Sequence, residues 1–129
     1  MATFKRFEEI KAWQLARDLC KMVYTLTNKG DFVKDFAFKN QIRDAAGSAM
    51  DNIAEGYERD GTKEFIHFLS ISKGSSGEVR SQAYRALDVS YITKDEFDEL
   101  FALAVSVSKT DSGRMDYLKT CELKGIKWK

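Results

Sequence analysis

No proline occurs anywhere in the 129 residues, while apolar residues recur at intervals of three and four along most of the chain. Proline breaks a helix interior, because it removes a backbone hydrogen bond and clashes with the preceding turn. Its absence leaves the helical period uninterrupted from end to end, which points to long amphipathic helices. Apolar–polar alternation of the kind a half-buried strand needs competes nowhere.

Four helical runs follow from that period. The first spans about 8–28, with Ile10, Trp13, Ala16, Cys20, Val23 and Leu26 inward, and Asn28-Lys29-Gly30 closes it. The second, about 36–58, turns Phe38, Ile42, Ala45, Ala46, Ala49, Ile53 and Tyr57 inward. Its small residues at 45–49 predict the closest helix crossing. Asp60-Gly61 reads as a tight turn, with Asp60 or Thr62 as the cap of the next run.

The third run, about 62–90, stays in phase across Lys73-Gly74-Ser75-Ser76-Gly77, so it reads as one helix. Two interior glycines cost it roughly 2 kcal/mol against alanine, which predicts close packing on the 45–49 patch. Thr93-Lys94-Asp95-Glu96 is a capping box that opens the fourth run, about 94–119. Thr110, Asp111, Ser112 and Gly113 interrupt its apolar phase. Residues 120–129 read as a short basic tail. The expected core holds Trp13, Ile42, Ile53, Phe65, Leu69, Val79, Leu87, Phe101 and Ala104. A chain of this length fits one domain. The expected fold is therefore all-α, an antiparallel up-down-up-down four-helix bundle.

Charge and cysteine usage narrow the function classes. Twenty-one basic and twenty acidic residues leave a net charge of +1, which gives the whole molecule no pull toward nucleic acid or an anionic membrane. No apolar stretch at the start has signal-peptide length, and none approaches the ~20 residues of a membrane span. Cys20 and Cys121 lack metal-ligand spacing and are expected as reduced thiols, which places the protein in the cytoplasm and off the membrane. The lone His67 has no partner for a zinc site. Glu64-Phe65-Ile66-His67 has the spacing of a di-iron bundle ligand pair but occurs once, where two copies are needed. Glu55 and Glu78 as an acid–base pair lack a pocket. Nucleophile-elbow, phosphate-loop and dinucleotide motifs are missing. The expectation is a protein without catalysis, cofactor or metal.

A polar ladder stands out instead. Gln41, Ser48, Asn52, Glu55 and Arg59 fall within roughly 60° of one flank of the second run at ~100° per residue. Glu64, Ser75, Glu78 and Gln82 do the same on the third. If the two runs pair antiparallel about the turn, Gln41 lies level with Gln82, Ala45 with Glu78, Ser48 with Ser75, and Arg59 with Glu64. Arg59 or Arg43 is then expected to pair with Glu55, Glu64 or Glu78, and Glu78 to be buried with its partner. The ladder reads either as a device that fixes register or as a subunit or ligand contact.

Several of these stretches are familiar. Phe7-Glu8-Glu9-Ile10-Lys11-Ala12-Trp13-Gln14-Leu15-Ala16, Gln41-Ile42-Arg43-Asp44-Ala45-Ala46-Gly47-Ser48 and Asn52-Ile53-Ala54-Glu55-Gly56 carry the likeness. Arg59, Glu64-Phe65, Phe68-Leu69 and Gly74-Ser75 with Glu78 extend it. They resemble the proteins encoded inside intervening sequences of 23S rRNA genes, also labelled S23 ribosomal proteins. The likeness covers residues 7–91 or so. It implies a bacterial four-helix bundle assembled as a homo-oligomer, a ring of five subunits. The resemblance extends to the accessory protein of diversity-generating retroelements, which works with a reverse transcriptase and nucleic acid. Two expectations follow. One is an oligomeric scaffold. The other is a nucleic-acid-binding accessory (RNA or single-stranded DNA) that uses Lys5, Arg6, Lys11, Arg17 and Lys21 with Lys124, Lys127 and Lys129 of the tail.

Overall fold

The period of three and four becomes four α-helices in the computed structural model, which describes residues 4–125: α1 Lys11–Thr27, α2 Phe36–Glu58, α3 Thr62–Asp88 and α4 Lys94–Lys124. Short 3-10 turns at Phe7–Glu9 and Phe32–Lys34 precede α1 and α2, and no strand occurs among the described residues. Residues in contact along α2 and α3 have nearly constant summed numbers: Ser48 with Ser75, the Ala49 carbonyl with Ser72, Gly56 with Phe65 and Phe68. The same holds for Cys20 with Ala46 and Thr27 with Arg43 between α1 and α2. Between α3 and α4 it holds for Ser72 with Asp111 and Tyr84 with Phe101. Each neighbouring pair of helices therefore runs in opposite directions.

Local signals set the helix ends. Asp35 caps α2 by accepting from the Phe38 N–H, and Thr93 with Glu96 forms a complete capping box at α4. Gly125 closes α4 in the left-handed conformation, φ 67°, where a Cβ is disfavoured. The expected start of the first helix is corrected. Residues 7–9 form a 3-10 turn, and Ile10 is extended at φ −75°, ψ 124°, which lets Phe7 meet the Trp13 ring edge-on at 5.2 Å. Neither Asp60 nor Thr62 caps α3. Gly61, which has no side chain to offer, holds the cap position, and Asp60 before it is left-handed at φ 64°.

The seam is apolar and continuous. Every expected inward residue of α2, Phe38 through Tyr57, is buried, as are Trp13, Phe65, Leu69, Val79 and Ala104. Leu87 and Phe101 pack against the core only half-buried. Fully burying a side chain of Leu or Phe size contributes about 1.5–3 kcal/mol, so the bundle rests on this seam.

One expectation at small residues needs correction. A Cβ built on Gly74 or Gly77 would meet nothing within 4 Å, so these glycines do not serve close packing inside the chain. The glycine that does is Gly56, where a Cβ would come within 2.6 Å of Phe68 Cβ. The alanines at 46 and 49 do mark a close approach, since their carbonyls accept from the Cys20 thiol at 3.1 Å and the Ser72 hydroxyl at 2.8 Å. Helix α4 also runs unbroken through 110–113 and five residues beyond its expected end. Asp111 lies three and four residues along the series Phe97, Leu100, Ala104, Val107, Asp111, Met115, Leu118, in phase with the buried face, and it is itself buried. Polarity made it look like an interruption.

Candidate functional site

The polar ladder becomes a groove where α2 and α3 lie side by side. A shallow cleft of about 330 Å³ opens there, floored by Ala45 and lined by Gln41, Asp44, Ser48, Ser75 and Glu78. Its centre is a hydroxyl pair, with Ser48 Oγ and Ser75 Oγ 2.8 Å apart. Asn52 Nδ2 steadies Ser48, donating to its carbonyl at 2.8 Å and to its Oγ at 3.0 Å. Small hydroxyl side chains on facing turns allow the helices this approach and supply the bond that fixes their register.

The rungs away from the centre differ from the expected pairing. Gln41 and Gln82 are level but do not bond to each other. Gln41 is exposed and accepts from Arg85 Nη1 at 3.5 Å, whereas Gln82 is buried and donates through Nε2 to Glu78 Oε2 at 3.4 Å. Gln82 Oε1 is buried without a hydrogen-bond partner. Arg59 pairs at 2.7 Å with Glu55 one turn back, one of its expected partners, and not with Glu64, which lies level with it across the turn; its guanidinium lies over the Phe68 ring at 5.2 Å. A pair four residues apart on one helix needs no reach across the interhelical gap. Arg43 leaves the ladder altogether. Its Nε donates to Thr27 Oγ1 at 2.9 Å and its guanidinium covers the Tyr24 ring at 4.4 Å, on the α1 side of α2. Glu78 is exposed rather than buried, and the buried partner expected for it is Gln82, whose Nε2 donates to it.

Acidic side chains border the groove. Asp44, Asp51, Glu55 and Glu58 are all exposed, and at ~100° per residue they form one stripe along α2. With paired hydroxyls inside and carboxylates at the rim, the groove can recognise hydrogen-bonding or cationic groups. It contains no nucleophile with an attendant base. Glu64 and His67 are both exposed, and among the described residues no three His, Cys, Asp or Glu gather as metal ligands.

The basic candidates divide between places. Arg6, Arg17 and Lys21 line one cleft of about 410 Å³ with Trp13 and Gln14, and Arg17 lies over the Trp13 ring at 5.7 Å. Glu8 and Asp18 share that cleft, and Glu8 pairs with Arg6 at 3.7 Å. Lys11 lines a separate cleft of about 440 Å³ with Ile10, Ala12, Thr110, Gly113, Arg114 and Tyr117. Lys5 is exposed ahead of α1, and Lys124 is exposed in the last turn of α4. Lys127 and Lys129 lie outside the described residues. No helix among the described residues is long and apolar enough to cross a membrane.

Sequence reasoning missed two groups. Asp35 accepts from the Tyr91 hydroxyl at 2.9 Å, and Lys29 pairs with Glu96 at 2.6 Å, each across more than fifty residues. Only the pairing of the helices brings them together. Asp111 was legible in principle, because its spacing is that of the core.

Comparison with known proteins agrees with this architecture. The family model described as 23S rRNA-intervening sequence protein matches residues 8–112. A solved structure from Bacteroides thetaiotaomicron, described as a protein of unknown function from the S23 ribosomal protein family, superposes with a TM-score of 0.74. It is 17% identical, over 81% of this chain and 95% of that one. Among curated proteins, none matches.

Proposed function

We propose that this chain, which belongs to the 23S rRNA-intervening sequence protein family, is a non-catalytic scaffold protein of the bacterial cytoplasm that works as a homo-oligomer. The resemblance implies five subunits. The observation that supports assembly is the outer surface of α3. Gly74 and Gly77 sit in the middle of a 27-residue helix with open space where a Cβ would be. An interior helical glycine costs about 1 kcal/mol against alanine, and nothing inside the chain returns that cost. A second backbone approaching this surface would.

Charge supports the same reading. The acidic stripe of α2 borders the groove, while Arg17 and Lys21 are exposed together on α1. Two unlike faces of opposite charge on one chain suit a head-to-tail contact, the kind that closes rings. Light scattering at micromolar concentration tests it. A pentamer that Gly74→Leu with Gly77→Leu reduces to folded monomer is the expected result. A monomeric native protein overturns the reading.

One observation favours a second function. Arg6, Arg17 and Lys21 converge beside Trp13, a combination that suits phosphates next to a stacked base, and a ring would repeat it around the assembly. In that reading the protein is a nucleic-acid-binding accessory. Binding of structured RNA or single-stranded DNA that weakens steeply with salt, and weakens further in Arg17→Ala with Lys21→Ala, would establish it. Absence of binding at low salt removes it.

A further inference from the structure

Asp111 is fully buried, and among the described residues no other Asp, Glu, Lys, Arg or His is. It faces α3 from the middle of α4. Ser72 Oγ lies 2.6 Å from Asp111 Oδ2 and 2.8 Å from the carbonyl oxygen of Ala49 on α2. A serine hydroxyl has a single proton, which can go to only one of these oxygens. With an ionised Asp111, the other contact would set two oxygens together with no proton between them. A protonated carboxyl satisfies both: Asp111 Oδ2–H donates to Ser72 Oγ, and Ser72 Oγ–H donates to the Ala49 carbonyl. Asp111 Oδ1 is buried without a partner. A charged carboxylate so placed is far more costly than the carbonyl oxygen of a neutral acid.

The surroundings agree. Burial pushes the Asp111 carboxyl up from the ordinary 3.8 to about 7, against smaller opposing effects of the Ser72 bond and the Lys73 ammonium on α3. The buried faces of α1, α2 and α3 present no other Asp, Glu, Lys, Arg or His. On α4, Arg114 turns away to lie over the rings of Phe4 and Tyr117. The thiol of Cys20 on α1 donates to the Ala46 carbonyl.

We propose that Asp111, Ser72 and the Ala49 carbonyl form a proton-dependent latch that holds α4 against α3 and α2, closed while Asp111 carries its proton and loosened when it does not. Opening the seam admits water to the carboxylate and restores its ordinary acidity. The closed form therefore binds the proton more tightly than the open form, and closure is strongest below about pH 4. It weakens as pH rises toward about 7 and falls no further above that.

Hydrogen exchange of α4 amides, read as protection factors, tests the latch together with the carboxyl carbon shift of Asp111 in the native protein. The opening constant of α4 should rise by up to about tenfold per pH unit between roughly 4 and 7. The Asp111→Asn protein, whose side-chain amide can still donate to Ser72 Oγ, should show no such slope. The carboxyl carbon should titrate near 7 in the folded chain. Titration near 4, or an unchanged slope in Asp111→Asn, overturns the proposal, and the native titration decides even if that variant does not fold.

Discussion

Asp35 receives the Tyr91 hydroxyl on one carboxylate oxygen at 2.9 Å and the Phe38 N–H on the other at 3.2 Å, so one side chain both caps α2 and ties it to the α3–α4 turn. Asp35→Ala should cost about 0.5–2 kcal/mol for the cap, measured by urea unfolding. Tyr91→Phe should cost less. The double variant should lose less than the sum, because both changes remove one shared bond.

Gly56 and Gly74 should respond oppositely to a methyl group. Gly56→Ala drives a Cβ into Phe68 and should destabilise by about 1–3 kcal/mol. Gly74→Ala adds its methyl to open space and should stabilise the isolated chain by roughly 0.5–1 kcal/mol. Thermal unfolding at low protein concentration compares them directly.

Replacing both Ser48 and Ser75 by Ala removes the central bond of the groove, while Glu78→Ala removes an exposed carboxylate that accepts from the buried Gln82. The serine pair should cost about 1 kcal/mol. The Glu78 change should also cost about 1 kcal/mol, because the buried Gln82 Nε2 loses its acceptor. An unchanged unfolding curve for Glu78→Ala would show that the Gln82–Glu78 bond contributes nothing to the fold.

Cys20 should be slow to alkylate. Burial and the nearby Asp51 push its thiol up to about 11, so at pH 8 the folded protein holds about a hundredfold less thiolate than a chain with the ordinary 9.0. Iodoacetamide labelling followed by mass spectrometry should show slow modification in buffer and rapid modification in denaturant.

Glu96 is held below the usual carboxylate range, first by its bond to Lys29 and then by the Thr93 N–H. A depressed carboxyl stabilises the fold above its unfolded value, and that contribution disappears as pH falls through its folded value. Glu96→Gln should therefore lose stability at neutral pH and show a shallower decline toward acid. Urea midpoints between pH 2 and 7 measure both.

Much of this architecture could be read from local patterns. The spacing of Phe38 to Tyr57 gave the bounds of α2, and Thr93 with Glu96 marked the start of α4, because caps and apolar periods are written within a few residues. The Ser48–Ser75 contact was also legible, since one short turn at 60–61 fixes the register of the two helices it joins. What failed depended on longer-range geometry. Arg43 had Thr27 and Tyr24 within reach on α1, and no count along α2 alone reveals a competing partner. Asp111 lay in phase, but a charge on an apolar face reads as an error until Ser72 is seen opposite. The cost of Gly74 and Gly77 in a helix does not by itself say which way a missing side chain points, and both face open space.

The contacts of Phe4 have a practical consequence. Its carbonyl accepts from Tyr57 at the end of α2, its ring lies under Arg114 of α4, and Lys63 at the start of α3 reaches Glu122 at 3.9 Å. The beginning of α1 and the close of α4 thus share one pole, while the turns at 28–35 and 89–93 occupy the other. Probes on the exposed Lys5 and Lys124 should therefore lie nearer to each other than either does to a probe at Gly30, at the opposite pole.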